Sequence, residues 1–177
     1  MKNLIRNTRN SLLLMVLLGL CTPVMADDAS IEADVQAGID AYDRGDLMAA
    51  MSHYGKAADA GSALAQARLA WIHDLSEDNA AAVEWYRASA EQGHPDGQYG
   101  LGEMYAKGEG VEKNPNEALL WFTRAAENGH AQAQRVLISA YENGLLGLTA
   151  DPVKVAMLQS KLDEQLATAA EEKAPDQ

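Results

Sequence analysis

The chain has 177 residues, with 26 acidic and 14 basic side chains, a formal charge of −12 at pH 7 and a single cysteine. An excess of that sign argues against nucleic acid and against anionic membrane surfaces, both of which would repel it. One thiol excludes an internal disulfide framework.

The first 26 residues read as a leader rather than as part of a fold. Lys2, Arg6 and Arg9 form a basic start, Leu12 to Leu20 a short apolar core, and Val24-Met25-Ala26 a small-residue cleavage site before Asp27-Asp28. This is the plan of a secretory signal peptide. The apolar run is too short for a membrane span, which needs about 20 residues. A lipoprotein signal with Cys21 as the lipid-bearing residue is the competing reading, and bulky Leu20 speaks against it. Cleavage after Ala26 predicts a periplasmic or secreted protein without cysteine. It removes three basic residues and no acidic one, leaving a charge of −15. Such a charge suits solubility, and it suits a basic protein partner.

From there the chain says one phrase three times. His53 to Ser62 reads HYGKAADAGS, Trp85 to His94 reads WYRASAEQGH, and Trp121 to His130 reads WFTRAAENGH, at shifts of 32 and 36 residues. Leu69, Leu101 and Leu137 keep the same register, as do Ala50, Ala82 and Ala118, and Tyr105 with Tyr141. Self-similarity at this period marks a stack of helix pairs. Ala118, Trp121, Phe122, Ala125 and Ala126 share one helical face. Asn114-Pro115-Asn116-Glu117 supplies an N-cap, a proline at the first helical position and a Glu to close a capping box. Gly129 stops that helix, and the next begins after His130 with Leu137, Ile138 and Tyr141 on its apolar face. Asp151-Pro152 opens a last helix through about Ala170, and residues 171–177 read as a disordered C-terminal tail. Alanines at the contact positions allow neighbouring helices to approach at the short end of about 8–10 Å.

These residues resemble the Sel1-like repeat, a relative of the tetratricopeptide repeat. The third unit carries the motif most fully: Leu101-Gly102, Tyr105, Gly108-Glu109-Gly110-Val111, Ala118, Trp121, Phe122, Ala125, Ala126, Gly129 and His130. The second lacks the Gly-x-Gly-Val loop, with Asp74 to Asn79 in its place. The first, around Ala37-Gly38, Tyr42, Gly45-Asp46, Ala50 and Tyr54, is closer to a plain tetratricopeptide unit. The resemblance implies an all-α right-handed α-solenoid superhelix of three to four helix pairs with a C-terminal capping helix, occupying residues 27–170.

Chemistry is hard to find in the sequence. His94 and His130 hold the same place in successive repeats, a spacing that predicts separation rather than a shared metal, whose ligands lie about 2.0–2.2 Å from the ion. His53 stands where the tryptophans stand and His73 where the tyrosines stand, which predicts packing roles. Trp85 and Trp121 are expected in the core. No serine has a hydrolase elbow context, and no zinc or phosphate-loop motif occurs. Neither a metal nor a cofactor is implied. Glu103 with His73 is the one acid–base pair that the sequence suggests.

Solenoids bind on the concave face, lined by the first helix of each pair. By the tetratricopeptide analogy the lining positions lie two before and two after the signature Leu: Ala67 and Trp71, Tyr99 and Glu103, Arg135 and Ser139. Each pair shares a helical stripe. Unlike the packing positions, these residues change from repeat to repeat. Trp71, whose counterparts are Glu103 and Ser139, is expected to be an aromatic anchor, unless the shortened second unit tilts its helices and buries it. The expected function is a non-enzymatic scaffold, adaptor or regulator in the bacterial envelope that binds a protein or peptide in this groove. Two other classes stand beside it: a periplasmic immunity protein that plugs a toxic effector, and an enzyme acting on peptidoglycan.

Overall fold

The structure is a computed structural model describing residues 28–173. The leader and the last four residues of the tail lie outside the described residues. Eight helices follow in order: α1 (Asp28–Asp43), α2 (Leu47–Asp59), α3 (Ala63–Leu75), α4 (Asn79–Glu91), α5 (Pro95–Lys107), α6 (Pro115–Glu127), α7 (Ala131–Asn143) and α8 (Pro152–Lys173). They form four antiparallel pairs, each helix packed on its neighbour in sequence, and α3 also touches α5. The expected α-solenoid is present with four pairs. The last helix reaches Lys173, three residues into the stretch expected to be disordered.

The repeated phrase ends in a two-residue device that stops one helix and starts the next. Gly61, Gly93 and Gly129 adopt φ of 96°, 84° and 86°, a left-handed conformation that costs glycine little. The residue after each donates its N–H back to the helix it ends: Ser62 to Ala57 O, His94 to Ser89 O and His130 to Ala125 O. That is a Schellman turn. Ser62 and His130 then cap the following helix, accepting from the N–H groups of Ala65 and Ala133. Asn114 caps α6 as its sequence indicates, accepting from Asn116 and Glu117. In the shortened second unit the left-handed position falls to Glu77, at φ 59°, and Asp78 caps α4.

Three core clusters run along the stack. The first joins α1, α2 and α3 around Val35, Tyr54, Leu69 and Ile72; the second centres on Val83, Tyr86, Leu101 and Met104; the third on Phe122, Ala126 and Leu137. Aromatic rings seat on glycines where no Cβ fits. A methyl at Gly38 would lie 2.5 Å from Tyr54, and one at Gly102 would lie 2.9 Å from Phe122. Trp121 is buried. Trp85, expected in the core at the same register, is half-buried and wedged between the first two clusters. His53 keeps an interhelical role through Asp34, Nδ1 to Oδ1 at 2.9 Å.

A polar ladder stitches the pairs together. Gln66, Gln98 and Gln134 are buried at equivalent places, and each donates its amide to a carbonyl eight residues earlier, those of Ala58, Ala90 and Ala126. The end of the next second helix reaches back: Gln92 donates to Gln66 at 2.7 Å and Asn128 to Gln98 at 2.9 Å. In the last pair Gln134 donates to Gln165 of α8 at 2.9 Å. Buried polar groups require such partners, so each rung fixes how one pair sits on the next.

Candidate binding groove

The first helices of the pairs bring together three adjoining depressions. The middle one, about 420 Å³, is lined by Tyr42 of α1, by Ala67, Arg68 and Trp71 of α3, and by Asp96, Tyr99, Gly100 and Glu103 of α5, with Tyr86 and His130 behind. A second, about 200 Å³, lies between α1 and α3 and shares Tyr42, Arg68 and Trp71 with the first. The third, about 250 Å³, shares Glu103 and is otherwise mostly apolar, with Phe122, Val136, Ala140, Leu145 and Leu146 around Ser139. Shared walls make these one groove along the inner side of the stack.

Five of the six residues expected from sequence line it: Ala67, Trp71, Tyr99, Glu103 and Ser139. Arg135 does not. It is exposed on α7 and hydrogen-bonded to Gln132. Trp71 is half-buried, its ring edge-on to Tyr42 at 5.2 Å between centroids, and it packs against the first and second clusters. The tryptophan is therefore both a prop for the core and a wall of the groove. The expected pairing of Glu103 with His73 does not form. His73 Nδ1 lies 3.2 Å from Asp78 Oδ2, and His73 lines none of the three depressions.

Sequence reasoning overlooked Tyr42, Arg68, Asp96 and His130. It followed a single stripe, two before and two after the Leu, whereas a helix face is wider. Asp96, Tyr99, Gly100 and Glu103 follow the three- and four-residue spacing of one such face. Gly100 belongs there because the Tyr86 ring passes where its Cβ would be, at 2.3 Å.

Tyr99 organises the middle of the groove. Its ring stacks on His130 at 4.4 Å and tilts against Phe122 at 5.6 Å, and its hydroxyl donates to the Glu103 carboxylate. Burial, with the neighbouring negative charge of Glu103, pushes the Tyr99 phenol up to about 12. Burial also raises the Glu103 carboxyl above its ordinary range, while Lys107 and the Tyr99 hydroxyl pull it back and Asp74 and Glu109 push further up. His94 and His130 are both held below 6.5, first by burial; Asp96 acts on each in the opposite sense. The positive form of His94 would add to the lowering at His130. Since Nδ1 of His130 accepts from Ala133, its proton sits on Nε2, 3.6 Å from Asp96. Among the described residues no group of His, Cys, Asp and Glu is arranged to hold a metal ion, and no helix is long and apolar enough to cross a membrane.

The Sel1 repeat model matches residues 36–62, 63–94, 95–130 and 136–157. Among solved structures, a Sel1 repeat protein from Oxalobacter formigenes is similar, with 29% identity and a TM-score of 0.70 over 76% of this chain and 58% of that one. A protective antigen present in uropathogenic Escherichia coli strains, displaying an SLR fold, gives 28% identity and a TM-score of 0.68 over 82% of this chain and 34% of the other. The chain thus spans about a third to somewhat over half of the length of these relatives. No curated protein matches it.

Proposed function

The chain belongs to the Sel1 repeat family, whose members generally mediate protein–protein interaction, and on that premise we propose that it is a non-enzymatic scaffold that holds a segment of a partner protein in the groove of α1, α3, α5 and α7. The observation that carries the reading is the contrast within the repeat. Packing positions such as Leu69, Leu101 and Leu137 are the same in the last three units. Groove positions such as Trp71, Glu103 and Ser139 differ, and two aromatic rings, Trp71 and Tyr99, face one depression. Aromatic side chains in a partly desolvated pocket are the residue type most enriched at binding hot spots.

The leader-like first 26 residues support export to the periplasm or beyond, where the scaffold would act as an adaptor or regulator of an envelope process. The strong negative charge of the exported chain supports a basic partner. It also favours a second reading, an immunity protein that plugs a basic effector. The two differ in stoichiometry and tightness: a plug forms a single tight one-to-one complex with its effector.

The test uses the Trp71→Ala, Tyr99→Ala variant of the exported protein. Helicity by circular dichroism should remain, because the Gln ladder and the buried Leu positions are untouched, and affinity for the partner captured from the native envelope should be lost. Retained affinity in a folded variant would remove the groove from the account.

A further inference from the structure

The groove carries its charges in an order. Arg68 stands where the first and middle depressions meet, and Glu103 where the middle one meets the apolar third. The Glu103 carboxylate accepts from the Tyr99 hydroxyl four residues earlier, and a carboxylate can accept about four hydrogen bonds. Lys107 lies between two carboxylates: its Nζ is 3.4 Å from Glu109 Oε2 and its charge also acts on Glu103, so Glu103 shares this cation rather than holding it alone. Asp74 and Glu109 add negative charge around the same point. On one side of Glu103 the walls are Trp71 and Tyr99; on the other they are Phe122, Val136, Leu145 and Leu146, together with Lys107, whose charge a bound cation would have to displace from Glu103.

Resting on the groove reading, we propose that Glu103 anchors a partner's lysine or arginine, and that the apolar depression beside it takes an aliphatic or aromatic side chain two positions away in the same segment. The occupant is an extended, basic stretch of polypeptide. In an extended strand, residues two apart share a face and lie about 7 Å from each other, a step that carries the chain from Glu103 into the third depression. Trp71 and Tyr99 beside Glu103 are suited to the cation as well, because a guanidinium or ammonium is attracted to an aromatic face. Arg68, at the far end of the middle depression, opposes a cation there. It therefore sets which way the segment lies.

A random-peptide display selection on the immobilised protein tests this. Enriched peptides should carry Lys or Arg two positions from Leu, Ile, Phe or Met. A synthetic peptide of that consensus should lose about tenfold in affinity to Glu103→Gln, as removal of a charged hydrogen bond predicts. It should lose as much to Ser139→Phe, which fills the third depression. A scrambled peptide of equal charge controls for the general attraction of an acidic protein, and should bind weakly and without regard to either substitution. Peptides enriched without a cation, lost on Trp71→Ala but bound equally by Glu103→Gln, overturn the anchor and leave the groove standing. No enrichment, or enriched peptides indifferent to the Trp71, Glu103 and Ser139 variants alike, overturns both.

Discussion

The imidazole of His130 lies flat on the ring of Tyr99, centroids 4.4 Å apart and planes within 13° of parallel. The same imidazole accepts the N–H of Ala133 and so caps α7. One side chain thus ties the start of the fourth repeat to the groove face of the third, and it does so only while Nδ1 is unprotonated.

Stability should therefore depend on pH in a defined direction. Burial holds both His94 and His130 below the ordinary value of 6.5, so between the folded and unfolded values the unfolded chain binds more protons. The contribution is complete above about pH 6.5 and is lost as pH falls through the folded values. Urea midpoints should be level near pH 7 to 8 and decline below about 6.5. The His94→Asn, His130→Asn variant preserves a capping side chain at 130, places one at 94, where the imidazole makes no cap hydrogen bond, and should flatten that decline. A wild-type profile without the decline would contradict the assignment.

Glu103 acts in the opposite sense. Desolvation raises its carboxyl above 4.5, so the folded protein holds the proton more tightly than the unfolded chain. Its contribution is most favourable at low pH and is lost as pH rises through the raised value. Glu103→Gln is expected to melt at the same temperature as wild type or higher at pH 7. The gap should close as pH falls towards 4. A clear drop in melting temperature at pH 7 would mean that Lys107 and Tyr99 outweigh the desolvation.

Two glycines should respond to alanine with opposite signs. At Gly100 a methyl would meet the Tyr86 ring at 2.3 Å, whereas at Gly55, inside α2, nothing lies within 4 Å. Gly100→Ala should cost about 1–3 kcal/mol through overpacking. Gly55→Ala should gain about 0.5–1 kcal/mol through helix propensity. Chemical denaturation of the two variants measures both.

The Gln ladder predicts that one amide supports two repeats. Gln98→Leu would take the side-chain donor from the carbonyl of Ala90, which keeps the Gly93 N–H, and one of two acceptors from Asn128, which keeps the carbonyl of Gly93. The expected cost is about 0.5–1.5 kcal/mol for each hydrogen bond lost, since both partners keep another one. Hydrogen exchange should show faster opening of both α4 and α6, because in a solenoid stability is shared through neighbour contacts. Protection lost in α5 alone would contradict the ladder.

Architecture was legible because the packing positions are periodic. Leu69, Leu101 and Leu137 mark the first helices of the last three pairs, and the Gly-Ser and Gly-His pairs mark the turns, since a left-handed glycine lets the chain leave one helix and enter the next within three residues. The groove was partly legible. Trp71 and Tyr99 stood out by breaking the repeat, but Arg68 and Asp96 lie on the neighbouring stripe of the same face and carry no periodic mark. Tyr42 drew notice only as a motif residue of the first unit. Arg135 was misplaced because the rule assumes another first helix opposite, and among the described residues none follows α7. The ladder was in plain sight, since Gln66, Gln98 and Gln134 recur at the repeat interval. Glutamine reads as surface until a buried carbonyl is seen to need it.

The central claim is that the partner lies against the first helices. Its most direct measurement is in-cell photo-crosslinking with a benzoylphenylalanine placed either at Tyr42, at the rim of the groove, or at Leu120, exposed on α6. The account predicts a single discrete crosslinked protein from position 42, lost when Trp71 and Tyr99 are also replaced, and none from position 120. A partner captured from position 120 and not from position 42 would contradict it.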